Sequence, residues 1–140
     1  MARVKNCFLL IVLLFLPLNL QAEAEQDRAK FNYQLFCQGC HGPTGAGRKG
    51  VPRMHSEMGV FLNSQAGREY LVQVPGAANA PISDAQLADV MNWTLNQFAG
   101  ESLPAQWRKY TEQEVTEYRK QPLLEVLEYR KKLLAELSNP

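Results

Sequence analysis

Phe36-Cys37-Gln38-Gly39-Cys40-His41-Gly42 is the stretch on which the reading of this 140-residue chain turns. The order Cys-x-x-Cys-His is the attachment pattern of a covalently bound haem. Two thiols add across the two vinyl groups of the porphyrin, and the histidine that follows is held under the iron as its axial ligand. Other uses of two close cysteines compete with this one. In an exported protein they suggest a disulfide. A thioredoxin-like dithiol needs a surrounding βαβ pattern, and strong strand signals are absent. A zinc site would have to draw on Cys37, Cys40, His41 and His55.

Working outward, the chain opens on an export signal. Arg3 and Lys5 form a positive n-region, Cys7 to Leu16 is an unbroken apolar run, and Ala22-Glu23-Ala24 offers small residues where a signal peptidase reads. Cleavage after Ala24 is expected. The run is short for a span of about 20 residues, so a retained membrane anchor is the lesser reading. Residues 1–24 are thus expected to be lost and Cys7 with them, which leaves Cys37 and Cys40. The mature chain has about 116 residues (140 minus 24), one small domain. Removing Arg3 and Lys5 from 15 basic residues, and Glu23 from 14 acidic ones, leaves 13 of each. That balance gives no basic excess for nucleic acid and no single-sign tail.

The pattern around the motif is helical. Gln26 to Phe36 reads as an amphipathic helix, capped by Asp27, with Phe31, Tyr33, Leu35 and Phe36 supplying apolar surface. Gly42 to Gly50, with four glycines and a proline, reads as a loop. Val51-Pro52 follows and is expected to place a carbonyl against the Nδ1 proton of His41, a contact that fixes the imidazole and raises its basicity. Short helical segments are expected over 56–62 and 68–74. The clearest helix is Ser83 to Phe98. Ser83 and Gln86 form a capping box, Leu87, Val90, Met91, Thr94, Leu95 and Phe98 recur on one face, and Gly100 closes it. Further on, Thr111 and Glu114 repeat the capping box. Pro122 is placed in the first turn of a last helix with a Leu-rich stripe.

Residues 26–98 resemble the class I c-type cytochromes. The resemblance rests on Cys37-Gln38-Gly39-Cys40-His41, on Tyr33 four residues before Cys37, on the glycine loop, on Val51-Pro52, and on the capped helix carrying Trp93. It implies an all-α fold wrapped round one covalent haem c over residues 25–100, with a C-terminal helical extension over 101–140. It also implies that Tyr33 and Trp93 lie near a crossing of the first and last helices of the haem domain. A chain this short buries a modest core alone, so the haem-free form is expected to be poorly folded. One departure stands out. Where the family commonly carries Met-Pro as the distal ligand, this chain has Ala80-Pro81. Met58 or Met54 are then the leading distal candidates, with His55 and Met91 behind them.

The function implied is electron transfer in the periplasm, not enzymatic catalysis. A single haem would shuttle one electron between exported redox partners, from a donor dehydrogenase towards a terminal acceptor. Near-neutral charge favours an apolar docking patch over strong steering. The alternative is an open sixth position on the iron, with small-ligand binding, sensing or weak peroxidase activity. The C-terminal helices are expected to pack on the domain or to contact a partner.

Overall fold

Helix-forming runs separated by Gly, Pro and polar caps make this chain all-α. The computed structural model describes residues 21–48 and 50–138. Helix α1 covers residues 21–36. It is followed by the single turn α2 (Gln38–His41), a 3-10 helix Met58–Asn63, α3 (Gln65–Gln73), α4 (Pro75–Ala78) and α5 (Asp84–Phe98). After a 3-10 turn at Gly100–Ser102 come α6 (Glu112–Tyr118) and α7 (Val126–Leu137). Among the described residues the only β-type pairing is an isolated bridge between Arg48 and Val51. The expected export signal falls largely on residues 1–20, which lie outside the described residues.

The local signals for α5 and α6 are realised atom for atom. Ser83 Oγ accepts from the Gln86 amide at 3.2 Å, and Gln86 Oε1 accepts from the Ser83 amide at 3.0 Å. Thr111 and Glu114 repeat both bonds at the start of α6, each at 3.2 Å. These bonds satisfy amides that the first helical turn cannot pair internally. Ala99 ends α5, and Gly100 takes a left-handed φ of 52° just beyond it.

The α5 stripe of Leu87, Val90, Met91, Thr94, Leu95 and Phe98 is buried throughout. Each such apolar side chain contributes about 1.5–3 kcal/mol on burial. Tyr33 of α1 meets Trp93 and Phe98 of α5, each with ring centroids 5.2 Å apart. This contact sets the rotation of α1 and corrects the expected apolar face. Ala29, Asn32 and Tyr33 point inward, while Phe31 and Leu35 stand 56% and 57% exposed.

Residues beyond Leu103 pack against this body. The Asn92 side-chain amide donates to the Tyr110 carbonyl at 3.0 Å, and its oxygen accepts from the Tyr110 amide at 2.7 Å. Arg119 donates to the carbonyls of Ala78, Ala80 and Ile82 and to Asp84 Oδ1, at 2.6–3.0 Å. Those bonds fasten the 78–84 turn to the end of α6. Helix α7 adds Leu133 to a second core built on Phe61 and Tyr70. Its start differs from expectation. The Leu123 amide donates to the Gln73 carbonyl at 2.9 Å, and the helix begins only at Val126. Pro122 therefore precedes the helix and does not sit in its first turn, because a tertiary hydrogen bond claims the amide beside it.

Gly67 shows how closely α3 approaches the 3-10 segment. A Cβ added there would collide with the Phe61 carbonyl, which is backbone and cannot rotate aside. Gly67→Ala is expected to cost about 1–3 kcal/mol by overpacking. Thermal unfolding followed by circular dichroism checks this, and an unchanged midpoint would show that the two segments separate freely.

Candidate functional site

Cys37, Cys40 and His41 lie on one helical turn directly after α1. The amides of Cys40 and His41 donate to the Cys37 carbonyl at 3.2 and 3.0 Å, and Gly42 donates to Gln38 at 2.8 Å. Residues three and four apart share a helix face, so both thiols and the imidazole are presented along one side. Cys37 also packs against the main core, while Cys40 is exposed. Both thiols are free.

The following loop returns to cover the histidine. Tyr33 donates its hydroxyl to the Gly42 carbonyl at 2.5 Å, and the Gly47 amide donates to the His41 carbonyl at 2.9 Å. Gly47 has φ 74°, and a Cβ on it would lie 2.5 Å from the Val51 carbonyl oxygen. Only glycine lets the loop double back so tightly at that point. Arg48 and Val51 close the turn, and the amides of Met54 and His55 both donate to the Gly45 carbonyl, at 2.8 and 3.0 Å.

Pro52 is thereby brought to His41. The imidazole Nδ1 is buried, and no hydrogen bond of standard geometry reaches it among the described residues. Burial lowers the His41 pKa, and the Pro52 carbonyl opposes that shift. The Pro52 carbonyl therefore bears on the imidazole, although no standard hydrogen bond to Nδ1 forms among the described residues. A neutral imidazole whose Nδ1 side faces a carbonyl keeps Nε2 free as the metal-binding atom.

The Cys37 thiol does not suit a nucleophilic role in redox exchange. Burial, with Cys40 adding to it, pushes the Cys37 thiol up to about 11. A dithiol nucleophile needs the opposite shift. Among the described residues no group of three or more His, Cys, Asp or Glu converges as a metal cage, and His55 is exposed on the far end of the Gly45 loop. The zinc alternative therefore has no assembled ligand set. A haem makes a different demand, since its thioethers bond to porphyrin carbon and only His41 of this group would reach iron. The residues present fit that demand on one side: two thiols and an imidazole on one turn, with the imidazole Nδ1 buried.

The second axial position is less provided for. Met58 and Met91 are 4% and 6% exposed within the main core, and Met54 is half-buried against it. Ala80, at the position before Pro81, is 7% exposed, and its carbonyl is held by Arg119. The sequence reading did not foresee Arg119 or Asn92. Both work through long-range bonds to backbone groups, which leave no spacing signal.

No protein-family model, curated protein or solved structure matches this chain.

Proposed function

We propose that this chain is a mono-haem c-type cytochrome of the class I kind, an exported carrier of single electrons. The observation that carries the reading is the placement of Cys37, Cys40 and His41 on one turn, with Nδ1 of His41 buried against the Pro52 loop. Cys37 and Cys40 would hold the haem covalently, and His41 would be its proximal ligand. Bound there, a haem supplies a one-electron ferrous–ferric couple. The protein's part is to fix the imidazole, to keep it neutral by burial and to shield it from water. The Tyr33–Trp93 contact supports the family likeness, since the same pair marks the helix crossing it implies. Phe31 and Leu35, exposed one helical turn apart just ahead of Cys37, offer an apolar surface to an exported redox partner. Among the described residues no helix is long and apolar enough to cross a membrane.

A second reading draws on Ala80. With alanine in the place before Pro81, Met58 and Met91 in the core and Met54 half-buried against it, an open sixth position would make the protein a small-ligand binder or weak peroxidase. The visible spectrum separates the two. Expression in a bacterial host that exports proteins and attaches haem is expected to yield covalent haem. The ferric long-wavelength band of sulfur–iron ligation, with slow carbon monoxide uptake by the ferrous form, marks the carrier. Rapid uptake and no such band would transfer the assignment to ligand binding. Absence of covalent haem in that host would reject both.

A further inference from the structure

An open cleft of about 500 Å³ lies between the Pro52 loop and helix α7. Its volume falls within the roughly 300–1,000 Å³ typical of small-molecule sites. Cys37, Cys40 and His41 do not line it, so it is separate from the motif, although Pro52 belongs to both. Val51, Pro52 and Leu134 give it apolar walls, and Leu127 stands at its edge, 62% exposed.

Its charge is one-sided. Among the described residues that line it, Arg53, Arg130 and Lys131 face a single carboxylate, Glu57. Both arginines reach that carboxylate at 2.9 Å, so one negative charge is shared between two guanidinium groups. Lys131 forms no ion pair among the described residues. Two positive charges thus stay uncompensated beside an apolar wall. Guanidinium groups retain further donors in a geometry that matches a carboxylate.

We propose that this cleft binds a free, small carboxylate that carries an unbranched apolar tail. The head lies between Arg53, Arg130 and Lys131, and the tail runs along Leu134 and Leu127. A membrane surface is the poorer occupant. The exposed side chains of α7 include Glu128 and Glu136 as well as Lys131 and Lys132, whereas a helix that lies on anionic lipid presents a face rich in cations. The inference does not draw on the haem reading and applies to the protein with or without that group.

Titration calorimetry of the full chain with sodium decanoate, below its micelle concentration, tests it. Saturable one-site binding is expected, weakened at least tenfold by Lys131→Glu and by Leu127→Asp. Both residues are exposed, and circular dichroism checks that the variants keep their helix. Lys132→Glu, outside the cleft, should bind as the parent does. Sodium acetate should show no saturable binding, since it lacks the tail. The proposal is overturned if decanoate does not bind, if both cleft variants bind it unchanged, or if acetate binds equally well. Binding to phosphatidylglycerol vesicles without binding to free decanoate would also overturn it, in favour of a lipid surface.

Discussion

Replacing Cys37 and Cys40 together with serine is expected to abolish covalent haem completely. Serine is nearly the size of cysteine but cannot form a thioether, so the change removes the bond and little else. Replacing Cys40 alone leaves one thioether at the half-buried Cys37 and should give reduced, not absent, incorporation. The measurement is haem-linked peroxidase staining on a denaturing gel, with the same band stained for protein so that loss of chain is not mistaken for loss of haem. A haem-stained band of the double variant would sink the attachment site and, with it, the cytochrome reading. His41→Ala in the same series should retain the thioethers yet change the visible spectrum, because it removes the proximal nitrogen and leaves both thiols in place.

The second large effect concerns the C-terminal extension. Arg68 of α3 is 6% exposed and reaches across to residues 108–114. Its Nη1 donates to the Arg108 carbonyl at 2.7 Å, and its Nη2 meets Glu114 at 3.2 Å. The guanidinium lies 4.3 Å from the centre of the Tyr110 ring, whose hydroxyl donates back to the Arg68 carbonyl at 2.9 Å. Burial acts on Glu114 to raise its pKa. The Thr111 amide and the Arg68 charge outweigh it and hold the carboxyl below its ordinary value. Arg68→Ala removes one of two guanidinium partners from a mostly buried carboxylate, which keeps Arg108 at 2.8 Å, and takes the donor from the Arg108 carbonyl. A buried polar group left unsatisfied costs about 1–3 kcal/mol. Domains of this kind have about 5–15 kcal/mol in all, so a large drop in the urea midpoint is expected. Glu114→Gln in a double-mutant cycle should show strong coupling to Arg68. Unfolding free energies within about 0.5 kcal/mol of the parent would mean that the extension is not held through this residue.

The two effects divide along a line visible in the chain itself. The placement of Cys37, Cys40 and His41 on one turn was legible because it is a matter of spacing between near neighbours. The capping boxes at Ser83 and Thr111, and the buried stripe of α5, were legible for the same reason. The face of α1 was not. Phe31 and Leu35 look like core residues by composition, yet Asn32 takes the inward place because Tyr33 is committed to Trp93 and Phe98. The start of α7 was misplaced because the Gln73 carbonyl, some fifty residues earlier in the chain, claims the Leu123 amide.

By itself the sequence determined the helical class, the limits of α5, the start of α6, and the thiol–imidazole turn. Each depends on bonds between residues three or four apart, whose geometry the chain carries with it wherever it folds. The tertiary structure alone decided that the Gly45 carbonyl gathers the amides of Met54 and His55. It also decided that Arg68 and Arg119 bind the extension, and that a cationic cleft opens between the Pro52 loop and α7. Those outcomes depend on where carbonyls and charges from distant segments end up, and a linear order of residues does not specify distance in space.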